Sequence, residues 1–177
     1  MLAVLATGLG ARDQVLVAHM APRRAVLAVA LVCTLIASLL AGWAGQSVAP
    51  LMTAPARMFL VAMALGLAAL ELLFIRPGRK PLEPTQSLGA VFLVLLAQQL
   101  FDASRFTLFA IAAASPAAWT AVAGGILGSA TSVSAGWLGG ATWEARPLTL
   151  VRRGLGAAML LLALYLAYPA IAARLAA

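Results

Sequence analysis

Two short stretches hold most of the side chains that could do chemistry deep within apolar sequence. The first is Gly8-Leu9-Gly10-Ala11-Arg12-Asp13-Gln14, and the second is Gln98-Gln99-Leu100-Phe101-Asp102-Ala103-Ser104-Arg105. In a membrane span each ionisable group costs at least ~2.5–3.5 kcal/mol on insertion scales, so its presence needs a cause. Carboxylates, amides and hydroxyls in such a setting can ligate a cation and exchange protons, whereas arginines can hold an anion or neutralise the acids. On a helix Gln98, Asp102 and Arg105 fall at i, i+4 and i+7, and Gln99 shares a face with Asp102 at i and i+3. That spacing supports two readings, an Asp102–Arg105 pair that only cancels charge, or a transport site. Arg12 and Asp13 are adjacent and diverge, so a partner for either lies across an interface. The glycines Gly8 and Gly10 favour a break in the first stretch, which would free backbone groups to line a site.

The elements that must position these groups are membrane helices. The chain has 177 residues, of which 64% are hydrophobic and 10% charged, and its mean hydropathy is +1.03. Soluble domains run at roughly 45–50% apolar and about 25% charged, and disorder needs still less hydrophobicity. Both classes are excluded, which leaves an all-α, polytopic membrane protein. Apolar runs bounded by Pro, Gly and basic clusters predict six spans, at 2–20, 25–45, 57–75, 87–113, 115–138 and 154–173. The stretch from Met1 to Leu9 lacks a basic start and reads as part of the first span, not as a removable signal. The fourth span is long enough to require a kink or a strong tilt.

Charge fixes the expected orientation. Connections one, three and five carry Arg23, Arg24, Arg76, Arg79, Lys80, Arg146, Arg152 and Arg153, whereas the opposite side carries only Arg57 and Arg174. The positive-inside rule then puts those three connections in the cytoplasm and both termini outside, as in a bacterial inner membrane. The net charge of +7 is thereby assigned to anionic lipid headgroups, not to nucleic acid. Trp43, Trp119, Trp137 and Trp143 fall near span ends, as interfacial anchors do. Lone Cys33 gives neither a disulfide nor a Cys-based zinc site, and His19 has no Ser or Cys arranged with it, so no enzyme and no bound cofactor is expected. Glu71, isolated in the third span, either pairs with a basic residue such as Arg76 or belongs to a proton path.

Ala41-Gly42-Trp43-Ala44-Gly45 near the end of span two matches Ala135-Gly136-Trp137-Leu138-Gly139 near the end of span five. Pro22 and Pro116 stand at the same offset ahead of them. This predicts two three-span repeats, residues 1–80 and 81–177, inserted in opposite senses because each has an odd number of spans. Gly124, Gly125, Gly128, Ser129, Ser132, Ser134 and Gly136 give span five a small-residue surface suited to close helix packing.

This pattern resembles the manganese/calcium–proton exchanger family of Golgi, thylakoid and bacterial membranes, in the lysine-exporter superfamily. Each half of those proteins opens with Glu-x-Gly-Asp-Lys/Arg-Thr/Ser, commonly followed by Gln. In the first half here the family Glu falls on Gly8, its Gly on Gly10 and its Asp on Ala11, with Arg12, Asp13 and Gln14 after them. In the second half the Glu falls on Gln99, the Gly on Phe101 and the Asp on Asp102, followed by Ala103, Ser104 and Arg105. Of the four acidic positions only Asp102 is kept, with Asp13 displaced by two residues from the other Asp position. The resemblance implies a secondary transporter exchanging Mn²⁺ or Ca²⁺ for protons, with Asp102, Gln99, Ser104, Asp13 and Gln14 as ligands and Arg12 and Arg105 as charge partners. The alternatives are a relative whose substrate has been lost or changed, and a membrane-embedded accessory subunit. An assembly of identical copies is compatible with either.

The orientation can be checked by labelling. In a Cys33→Ser background, a cysteine introduced as Pro116→Cys should react with an impermeant maleimide added outside intact cells, and Gly78→Cys should not. The reverse pattern contradicts the charge argument.

Overall fold

In the computed structural model, which describes residues 1–8, 10–21, 23–75, 87–140 and 148–175, the chain is a bundle of α-helices with no strand among the described residues. The helices are α1 (Leu2–Gly8), α2 (Arg12–His19), α3 (Arg24–Val48, continued by a 3₁₀ turn over Ala49–Leu51), α4 (Ala54–Phe74), α5 (Leu88–Leu100), α6 (Ala103–Ala114), α7 (Ala118–Gly139) and α8 (Leu148–Leu175). Pro22, Arg76 to Gln86, Trp143, Glu144 and Arg146, on which part of the orientation and repeat argument rests, lie outside the described residues.

Four helices are long and apolar enough to cross a membrane, and a fifth span is made if α5 and α6 count as one broken by a 53° bend. The predicted second, third and fifth spans correspond to α3, α4 and α7 within a few residues. The predicted first span does not form one helix. It is split into pieces of 7 and 8 residues, neither long enough alone to cross. The fourth span bends, as its length required. α8 starts six residues before the expected Gly154 and takes in Arg152 and Arg153. This corrects the placement of Arg152 in a cytoplasmic connection, because in α8 it is only 3% exposed.

The packing runs inside out relative to a soluble protein. Val32, Leu35, Leu39 and Leu40 of α3 and Leu161, Leu164 and Tyr165 of α8 are exposed, while Gln14, Gln99 and Arg105 are buried. An outward apolar surface around an inward polar layer is what a hydrocarbon solvent selects. Two apolar cores stand on either side of that layer. One joins α1, α4, α6 and α8 around Ala6, Leu65, Leu72, Ala110 and Met159. The other joins α2, α3, α5 and α7 around Val17, Val26, Cys33, Leu95 and Val133. Each broken stretch therefore gives one half-helix to each core, and the breaks lie where the cores meet.

Small residues set how closely the helices approach. A Cβ on Gly42 would run into the Val122 side chain, and one on Gly45 into the Phe109 carbonyl. On Gly136 it would meet Gln14 Cγ at 2.6 Å and the Gln14 carbonyl at 2.8 Å. In the first Ala-Gly-Trp segment Gly42 lets α3 approach α7 and Gly45 lets it approach α6, whereas in the second Gly136 lets α7 approach α2. Of the tryptophans, Trp43 and Trp119 are exposed, but Trp137 is half-buried against the second core and its indole Nε1 has no acceptor. Trp137 thus contributes to packing at the end of α7.

Gly136→Val should destabilise the purified protein by about 1–3 kcal/mol through overpacking against Gln14. Gly154→Ala, at a position with nothing within 4 Å, should change stability by no more than about 1 kcal/mol, since only helix propensity changes. Thermal unfolding in detergent separates the two, and equal effects would contradict the packing described.

Candidate functional site

The first break is made by Gly10, whose φ of 72° lies in the left-handed region that glycine occupies without a Cβ penalty. Interrupting a helix in lipid leaves backbone groups to be satisfied, and Gln14 supplies the answer. Its Oε1 accepts from the Gly10 N–H at 2.6 Å, and its Nε2 donates to the Ser132 carbonyl of α7 at 2.7 Å. Ser132 reciprocates, its Oγ donating to the Gly8 carbonyl at 2.9 Å. The second break falls at Phe101 and Asp102. Asp102 is the N-cap of α6, and its Oδ2 accepts from the Ser104 N–H at 3.2 Å and also from the Ser104 hydroxyl. A side-chain oxygen at this position satisfies a donor that the helix start leaves open, and its charge suits the helix dipole.

Both half-helices start from an extended N-cap residue, as α3, α4 and α5 also do. Ala11 caps α2 with φ −65° and ψ 159°, and Asp102 caps α6 with φ −83° and ψ 148°. Asp13 and Ser104 therefore stand at the same step of their half-helices, as do Gln14 and Arg105. The last two both reach α7, Gln14 at Ser132 and Arg105 through Nη1 to Ser129 Oγ at 2.6 Å.

Across the fold the breaks meet. Gln99 Nε2 donates to Asp13 Oδ2 at 3.1 Å and to Thr34 Oγ1 of α3 at 3.2 Å. The other Asp13 oxygen accepts from the Gln14 N–H at 2.8 Å. Asp102 and Arg105 form no direct ion pair. Asp102 caps its helix, Arg105 turns to α7, and each lies within electrostatic range of the other and of Asp13. Arg12 is exposed and acts on Glu71, as does Arg152. Glu71, Asp102, Asp13, Arg12, Arg105 and Arg152 together sum to zero charge, with Arg105 and Arg152 buried and the three acids half-buried.

Of the residues expected as ligands, Asp13 and Gln99 are in contact, and Asp102 and Ser104 are in contact. Gln14 is spent on backbone groups. Among the described residues no three acidic, His or Cys side chains are grouped to hold a metal ion. Sequence reasoning missed Thr34 as a partner and treated Ser129 and Ser132 as packing residues. It had no i+3 or i+4 acid or amide to flag Thr34, whereas Ser129 and Ser132 stood in the small-residue stripe as visible hydroxyls. A cavity of about 690 Å³ opens between α3, α4 and the broken α5–α6 pair, lined by Glu71, Asp102 and Arg105 with otherwise apolar side chains.

Fold and site together define an integral membrane helical bundle with a charged, hydrogen-bonded layer at two helix interruptions. No family model, curated protein or solved structure matches the chain.

Gln14→Leu should lower stability by about 1–3 kcal/mol, because it orphans the Gly10 N–H at the break. Gln98→Leu removes a side chain whose Oε1 has no partner and should leave the midpoint of thermal unfolding nearly unchanged. Equal losses from both would contradict the role of Gln14.

Proposed function

We propose that the chain is a secondary transporter of six spans in two inverted repeats, 1–80 and 81–177, with its site where the first and fourth spans are interrupted. The observation that carries this reading is the bond from Gln99 to Asp13, which joins interruptions 86 residues apart in sequence. Paired discontinuous helices facing each other from two halves are the usual way a transporter builds a site at mid-membrane. The exchange of packing supports it as well: α3 of one half rests on α6 of the other, and α7 on α2. Termini outside and basic connections inside follow from the charge distribution.

The resemblance supplies the first cargo to test, Mn²⁺ or Ca²⁺ moving against protons. Asp102 is the residue for which cation and proton compete, since it lines the cavity and is not locked in an ion pair. A second reading keeps the transporter and changes the cargo. It is favoured by Arg105 beside Asp102 and by a described donor set without three grouped acids, whereas a hard divalent ion takes 6–8 oxygens or an octahedral shell.

Proteoliposomes with an acidic interior decide between them. On the first reading they accumulate Mn²⁺ or Ca²⁺, Asp102→Asn cuts uptake at least tenfold, and added metal raises the unfolding temperature as binding to the folded state requires. Flux equal to empty liposomes with a flat thermal response to metal discards that cargo.

A further inference from the structure

The cavity between α3, α4 and the α5–α6 bend is far larger than a metal ion needs. At about 690 Å³ it falls in the range of sites that enclose drug-sized organic molecules, which are mostly apolar with a few placed polar groups. Most of its wall is carbon. Phe106 and Phe109, with ring centroids 6.0 Å apart and nearly parallel, form an aromatic side. Its rim faces out of the bundle, since the lining residue Phe101 is 91% exposed and Leu40, Leu67 and Leu100 are exposed too. In a bilayer, that rim opens onto acyl chains.

The polar groups in the wall are two carboxylates and one guanidinium. Glu71 comes from the first half and Asp102 from the second, and they lie within electrostatic range of each other. Arg105 is 3% exposed, its Nη1 is committed to Ser129, and its Nε has no partner. Arg12 and Arg152 act on Glu71 but do not line the cavity. The wall therefore carries two carboxylates against one guanidinium and an aromatic surface of the kind that attracts cations.

We propose that this cavity binds a lipophilic organic cation that enters sideways from the bilayer. Its charge is held between Glu71 and Asp102, and its apolar body lies along Phe106 and Phe109. As a statement about cargo this deepens the transporter reading and rests on it, whereas binding itself does not. Glu71 is then a specificity residue on a helix that carries neither of the paired motifs.

Rhodamine 6G, a delocalised lipophilic cation, tests the site by fluorescence anisotropy with the full chain in detergent. The expected result is saturable binding, displaced by tetraphenylphosphonium and absent for anionic fluorescein. Glu71→Gln and Asp102→Asn should each weaken it at least tenfold, and Arg153→Gln, at an exposed position on α8, should leave it unchanged. Ala41→Trp fills the cavity without altering charge and should abolish binding, which keeps the test decisive if an acid variant does not fold. Binding that does not saturate, that survives all three cavity variants or that fluorescein shares overturns the proposal. Metal flux in the absence of dye binding overturns it while sparing the transporter reading. Saturable dye binding without proton-driven flux of any cation supports the site and removes the transporter reading.

Discussion

Lipid offers no hydrogen bonds, so a helix that stops in mid-membrane must find protein partners for the groups it releases. Among the described residues two apolar stretches are interrupted, at Gly10 and at Phe101–Asp102, and the surrounding helices supply partners for the groups released there. Gln14 and Ser132 exchange bonds with the backbone at the first stop, Asp102 caps the second, and Gln99 ties one to the other. Once these groups are committed to one another, the half-helices have no choice of neighbour. α1 and α6 go to one apolar core and α2 and α5 to the other, and the polar layer lies between.

Close packing and polarity reinforce each other in this arrangement. Gln14 reaches the Ser132 carbonyl because Gly136, one turn further along α7, has no Cβ to hold α2 away. A pair of residue types that looks unrelated in sequence, a buried amide and a glycine beside a tryptophan, is thus one contact. The Arg105–Ser129 bond secures the second half-helix to the same face of α7. That helix serves both breaks, which explains why its surface combines glycines with hydroxyls.

Membrane class, four of the helices and the first interruption were legible in the sequence. Gly8 and Gly10 pointed to one stop, whereas the excess length of 87–113 left a kink and a strong tilt equally open. Illegible features were those set by tertiary partners. Nothing local to Thr34 indicated that it would accept from Gln99. Arg152 looked like loop because Arg152-Arg153 interrupts the apolar pattern, yet α8 extends through it and buries the first of the two. Helical spacing allowed Asp102 to pair with Arg105, but a cap and a serine on α7 competed better for those groups.

The central claim is that the two interruptions face each other inside the bundle. Cross-linking in native membranes measures this most directly, with Asp13→Cys and Gln99→Cys combined in a Cys33→Ser chain and treated with a short bismaleimide. Efficient intramolecular linkage is predicted for this pair, and none for Asp13→Cys combined with Gly154→Cys on the exposed side of α8. Failure of the first pair with both cysteines reactive, or equal linkage of the two pairs, would contradict the account.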